Sequence, residues 1–179
     1  MKKFLLFMAL PILLLAACNT DEKKEEGMKE EKVADDTESK EERNKQTTLA
    51  SVNALVSGDV EGTLKDVAVD AIDYGDGSMP AVKSKDSIKV MLKSWRESLS
   101  DYKADNLMAI ADGDYVVVSG DWSGTFKTDF MGMKTAGKKI KIKDVDIFKF
   151  NSDGMITEHH NVQSSAEMMK QLGIVPPKQ

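Results

Sequence analysis

Residues 139–150 read Lys139-Ile140-Lys141-Ile142-Lys143-Asp144-Val145-Asp146-Ile147-Phe148-Lys149-Phe150, and this stretch decides the fold. Side chains alternate across a strand with a period of two. Ile140, Ile142, Phe148 and Phe150 therefore share one face, and Lys139, Lys141, Lys143 and Lys149 share the other. One side is built for burial and the other for water, and the lysines also discourage edge-to-edge pairing. Asp144 and Asp146 fall on the apolar side. A carboxylate there must be hydrogen-bonded, paired, or shifted toward its neutral form.

The same period runs outward in both directions. Residues 105–111, 114–127, 138–150 and 155–163 read as strands, with turns at Asp112-Gly113 and Ser152-Asp153-Gly154. The last two are close enough in sequence to form an antiparallel hairpin. Before them the period is 3.6. A helix starts at Ser84, with Asp86 in its first turn and Ile88, Met91, Leu92, Trp95 and Leu99 along one stripe. Thr47 or Thr48 caps a segment carrying Leu49, Val52 and Val56, and Asp59 caps a short one carrying Val60 and Leu64. A further strand lies at 67–74, followed by a turn in which Asp70, Asp73 and Asp76 lack the spacing of a calcium loop. Helices first and a bent antiparallel sheet after them make an α+β domain, with helices covering one face of the sheet.

That domain spans 47–179, and what precedes it is of another kind. Residues 1–17 begin with Lys2 and Lys3, continue as an apolar run from Phe4, and end in small residues. This is the layout of a secretory signal peptide, too short to span a bilayer. Leu15-Ala16-Ala17-Cys18 resembles the lipobox of bacterial lipoproteins, whose cysteine is acylated after cleavage just before it. The resemblance implies lipidation at Cys18, the only cysteine, and anchoring in the bacterial cell envelope. With two or more acyl chains such anchoring is stable. Asn19 in place of an aspartate implies, by the same resemblance, the outer membrane if the host is Gram-negative. Residues 18–46 then read as the lipidated cysteine and a charged flexible tether. From Asn19 to Gln46 there are eleven acidic and seven basic residues and no aromatic one. Such a segment recovers little of its ordering entropy by packing and spans on the order of 30 Å as a coil. Removing Lys2 and Lys3 leaves 23 basic against 30 acidic residues, a net charge of −7, which excludes nucleic acid as an expected partner.

From Ser119 to Gly173 the sequence is similar to the SnoaL-like polyketide cyclase family, within the nuclear transport factor 2-like superfamily. The residues that carry the likeness are GTFKTDFMGMKTAGKKIKIKDVDIFKFNSDGMITEHH and MKQLGIVPP, above all Gln171-Leu172-Gly173 with Pro176. Weaker matches run from Ser57 to Asp59 and from Ser84 to Asp105. The resemblance implies a cone, with a strongly bent sheet wrapped by about three helices around an apolar pocket. It also implies that the cyclases' aspartate and histidine align with Ser164 and Phe126. A serine lacks a carboxylate's basicity, and a phenylalanine transfers no proton. Ser164 has a structural reading as well, since Ser164-Ser165-Ala166-Glu167 forms a capping box.

His159 and His160 are adjacent on a strand and point to opposite faces, so they cannot jointly hold a metal, and no metal or cofactor is expected. By parity His160 shares a face with Ile156, Glu158, Val162 and Ser164, the face assigned to the pocket. Trp95, Trp122, Phe126, Phe148, His160 and Ser164 are its candidate lining. Asp146 and Glu158 are candidate acid–base partners of His160. Three functions follow. In the first, a membrane-anchored lipoprotein binds a small apolar or amphipathic ligand without the family's cyclase chemistry. In the second, it is an isomerase, cyclase or hydrolase using His160 with Asp146 or Glu158. In the third, it is a protein-interaction module acting as a homodimer.

Overall fold

The computed structural model describes residues 21–130 and 132–174. The leader at 1–17, Cys18 and Met131 lie outside them. The chain divides into two units, Met1–Asp35 and Asp36–Gln179, of which the second carries the sheet and the core. The elements of the described residues are helix α1 (Asp21–Ser57), α2 (Val60–Thr63), strand β1 (Val67–Asp73), β2 (Val82–Lys83), α3 (Lys85–Ser98), β3 (Leu99–Asp112), β4 (Tyr115–Phe126), β5 (Lys139–Phe150), β6 (Ile156–Gln163) and α4 (Ser165–Gln171).

The six strands form one sheet in the order β2-β1-β6-β5-β4-β3. Neighbours are antiparallel except β1 and β6, which run parallel, so the sheet is mixed rather than wholly antiparallel. Parallel neighbours need a long crossover, and here everything from β2 to β5 lies between the two. Four helices accompany the sheet, in an α+β architecture of the cone type.

Alternation fixes the inner face. Val116, Val118, Trp122 and Phe126 of β4 and Ile140, Ile142, Phe148 and Phe150 of β5 are all buried. The α3 stripe lies on this core through Ile88, Met91, Leu92 and Trp95. Trp95 meets Phe126, Phe130 and Tyr102 edge-on, with ring centroids 5.8, 5.3 and 6.2 Å apart, a favoured arrangement of aromatic quadrupoles. Leu99 opens β3 rather than closing the helical stripe, and is 1% exposed.

Two features depart from the sequence reading. The tether assigned to 18–46 overlaps α1, and the folded unit starts ahead of Thr47. Lys40 pairs with Asp114, Glu41 accepts from the Gly113 backbone N–H at 2.7 Å, and Asn44 is buried. Charged side chains that composition assigns to solvent thus grip the β3–β4 turn. The second departure is a β-bulge. Phe150 pairs with Ile156 but Lys149 pairs with Glu158, leaving Thr157 unpaired. The Thr157 hydroxyl donates to Lys149 O at 3.2 Å, bonding to the ladder at the interruption. An extra residue reverses parity for everything after it.

The Gln171-Leu172-Gly173 motif closes the fold. β6 ends at Gln163, opposite Asp144, so the start of β5 has no strand partner on that side. Gln171 supplies one, its Oε1 accepting from Lys141 N at 2.7 Å and its Nε2 donating to Lys141 O at 2.8 Å. Leu172 is buried beside it, and the Lys138 ammonium donates to its carbonyl. We expect Gln171→Ala to lower the unfolding free energy by about 1 kcal/mol, seen as an earlier midpoint in chemical denaturation. An unchanged midpoint would show that water replaces both bonds without loss.

Candidate functional site

After the bulge, His159, Asn161 and Gln163 sit opposite Phe148, Asp146 and Asp144 and share their inner face. The histidine that faces inward is therefore His159, and His160 faces outward. This corrects the face assigned to His160 by parity, and its physical reason is the unpaired Thr157. His160 stacks on Tyr74 with ring centroids 4.4 Å apart and an interplanar angle of 8°. Its Nε2 lies 3.8 Å from Glu158, too far for a hydrogen bond, and Glu158 instead binds Lys149 at 2.7 Å. His160 and Asp146 lie on opposite faces, so this pair does not form.

The inner-face histidine is held at both ends. Its Nδ1 is 3.1 Å from Asp73 Oδ2, on β1, and its Nε2 is 3.1 Å from Asp146 Oδ1, on β5. A neutral imidazole has one N–H, so donating to two carboxylates requires the charged ring. Burial works against that charge, but the hydrogen bonds and charges of Asp146 and Asp73 outweigh it and push the His159 pKa up to about 10. For Asp73, burial pulls upward, yet the bond to His159 and the Gly75 N–H at 2.8 Å leave it below the usual carboxylate range.

Asp144 is next along β5 on this face. It accepts from Val145 N at 2.8 Å and from Asn161 Nδ2 at 3.3 Å, both uncharged donors. Burial, then the neighbouring Asp146 charge, raises its pKa. Two buried polar atoms nearby, Trp122 Nε1 and Asn161 Oδ1, have no hydrogen-bond partner among the described residues. No group of three or more His, Cys, Asp or Glu among the described residues has the geometry to hold a metal ion.

The other sequence candidates are placed as follows. Trp122, Phe126 and Phe148 lie on the inner face, and Phe126 is 2% exposed. Trp95 reaches Phe126 from α3. Ser164 caps α4, accepting from Glu167 N at 3.2 Å. Cys18 lies outside the described residues. Sequence reasoning missed His159 and Asp73 as site members. The available signal was Asp146 itself, because a carboxylate on an apolar face demands a donor and a neighbouring histidine is one. Two surface clefts lie elsewhere. One of about 670 Å³ runs between α3 and residues 128–130, past Val90, Lys93 and Phe130. The other, of about 290 Å³, lies beside Lys139, Lys141 and Gln171.

The model of the family described as SnoaL-like polyketide cyclase matches residues 45–172. No curated protein matches the chain. Among solved structures, AclR of Streptomyces galilaeus is 22% identical with a TM-score of 0.65, over 76% of this chain and 99% of that one. A proposed polyketide cyclase of Xanthomonas campestris is 20% identical with a TM-score of 0.68, over 74% and 98%. IdmH of Streptomyces antibioticus is 22% identical with a TM-score of 0.60, over 73% and 99%. At these identities the likeness is one of fold.

The raised His159 pKa has a thermodynamic sign. The ring carries its proton more tightly folded than unfolded, so its contribution is complete below about pH 6.5 and fades as pH rises through about 10. Thermal midpoints of the native protein should fall across that window, and those of His159→Gln should be lower throughout and lack that fall. Parallel curves would contradict the bridge.

Proposed function

The chain belongs to the SnoaL-like polyketide cyclase family, and from its site we propose that it is a lipid-anchored, extracytoplasmic domain that binds a small apolar or amphipathic molecule without turning it over. The observation that carries this reading is the engagement of both His159 nitrogens by Asp73 and Asp146 at 3.1 Å. A general base needs a free lone pair within reach of the proton it takes, at a pKa near the working pH. His159 has neither. Ser164 is spent on a helix cap and Phe126 is packed in the core, and these are the positions that the family resemblance aligns with the cyclases' aspartate and histidine. Tyr102, Trp122 and Phe148 give the inner face aromatic surface, and Asp144 and Asn161 give it a few fixed polar groups. That mixture is typical of a small-molecule site.

Nitrogen NMR of the histidine ring tests the reading. Both His159 N–H groups should persist from pH 5 to pH 9, whereas loss of a proton between pH 5 and 8 would favour the enzyme. The anchor rests on Leu15-Ala16-Ala17-Cys18. Cys18→Ser is expected to move the protein out of the acylated membrane fraction, and undiminished acyl labelling of the variant would remove the anchor.

A specific observation favours a second role, the pairing of two copies. On the outer face Ile110, Val117 and Ile147 line up in one row, and Met108 and Val162 flank Ser119 and Val145 in the next. Met108, Ile110 and Val162 are more than half exposed. Charge inserted by Ile110→Lys should turn a dimer into a monomer in light scattering. A native protein already monomeric at high concentration would exclude this role.

A further inference from the structure

The cleft of about 290 Å³ at the start of β5 opens on the outer face of the sheet, where the lysines lie. Lys139 and Lys141 line it from β5, Ser123 and Thr125 line it from β4, and Asp101 and Gln171 complete its wall. Register sets these side chains next to one another. Thr125 lies opposite Lys139 and Ser123 opposite Lys141, while Lys103 of β3 faces Ser123 from the other side. Directly opposed Cβ atoms of an antiparallel pair are about 5 Å apart, and residues two apart on one strand about 7 Å. The Ser123 hydroxyl thus has lysines on both sides, within reach of their flexible stems. None of Lys103, Lys139 and Lys141 enters an ion pair among the described residues, and the Ser123 hydroxyl makes no hydrogen bond among them. Gln171 holds the strand beneath in place, its amide bridging Lys141 N and O at 2.7 and 2.8 Å.

One carboxylate shares the wall. Between Ser100 and Lys103, β3 carries an extra residue against β4, and Asp101 there has a φ of +46°, a backbone that aspartate tolerates better than most residues. Asp101 accepts from the Ser100 hydroxyl at 2.9 Å and from the Thr125 hydroxyl at 3.2 Å, one bond to each oxygen. A carboxylate has about four lone-pair positions, so each oxygen can accept once more. Ammonium groups without a counter-charge call for an anion, and a cation would meet repulsion. A ligand carboxylate brings two oxygens, whereas a phosphate brings three, one each for Ser123, Lys139 and Lys141. Asp101 would repel a bare phosphate but would accept from an alcohol attached to it. A hydrocarbon meets no exposed apolar side chain, since Ile140 is only 3% exposed.

We propose that this cleft binds a phosphate ester whose alcohol part carries a free hydroxyl. The phosphate rests among Lys103, Lys139, Lys141 and Ser123, and the hydroxyl donates to Asp101. Soluble glycerol phosphates and the headgroup of phosphatidylglycerol share this chemistry. The site lies on the opposite face of the sheet from His159 and stands independently of the inner-face ligand.

The test uses the full chain in neutral phosphatidylcholine nanodiscs, titrated with glycerol 3-phosphate and with inorganic phosphate. Binding is followed at the backbone amide resonances of Ser123, Lys139 and Lys141. Glycerol 3-phosphate should shift them and bind about threefold more tightly than inorganic phosphate. Lys141→Gln should weaken its binding about fivefold. Lys65→Gln, an equal change of net charge at an exposed lysine ahead of β1, should leave it unchanged. Asp101→Asn should tighten inorganic phosphate and bring the two affinities together. A second arm replaces the soluble probes with nanodiscs containing phosphatidylglycerol. Shifts at the same residues there, lost in Lys141→Gln, would support the site and assign it to the lipid headgroup. Shifts with glycerol 3-phosphate alone would support it and assign it to a soluble ester. Equal binding by Lys141→Gln and Lys65→Gln, or no shift in either arm, would overturn the site.

Discussion

The unpaired Thr157 offsets β6 by one residue against β5, and the inward contacts of the last strand follow from that offset. Without it, His160 and Glu158 would continue the face begun by Ile156, leaving Asp73 and Asp146 without a cation. With it, one imidazolium ties β1, β6 and β5 together through two carboxylates. The bridge spans a parallel pair and an antiparallel pair, and breaking it by removing one partner would strand a buried charge. β1 meets β6 with its own register shift between Val67 and Ile72, so a side-chain tie there holds a ladder that backbone pairing alone holds loosely.

The inner face divides into two chemical halves. In one, charge is balanced locally and fixed in place, with His159 between its carboxylates and Phe148 against its ring. In the other, Asp144, Asn161 and Trp122 are left with capacity to spare. Catalysis by proton transfer needs a group that is near its working pKa and free to move a proton. The first half is locked, and the second is better equipped for recognition. Ser164 and Phe126 accord with this division, each fully employed by the fold.

Much of this arrangement is readable in the chain. Alternation in 139–150 gives the sheet face, the stripe from Ile88 to Trp95 gives the covering helix, and Ser164 with Glu167 gives the last cap. Those signals are local, carried by period and by neighbours within one turn. The parallel pairing of β1 with β6 is not local, because no residue in 67–73 records which strand lies beside it. The bulge at Thr157 is equally silent: no glycine marks it, and threonine is at home in a regular strand. Because side-chain parity has a memory of one bit, a single missed residue exchanged His159 for His160 while leaving every strand in its place. The Lys40 and Glu41 contacts were hidden for another reason, since composition describes what a segment can bury and not what it can hold at its surface.

The grip of α1 on the β3–β4 turn gives the domain a mechanical entry point. A pull arriving from the N-terminal side meets Lys40 and Glu41 at Asp114 and Gly113 before it reaches the buried Thr48 and Val52. Arg43 lies against Gly154 in the neighbouring hairpin turn, so the same helical turn touches both hairpins. Exposed ionic contacts are individually weak and are screened by salt. They would yield first and re-form readily, in the manner of a fuse that spares the sheet. Ionic strength would then set how readily this turn of α1 lifts from the two hairpin turns while the sheet beneath stays paired.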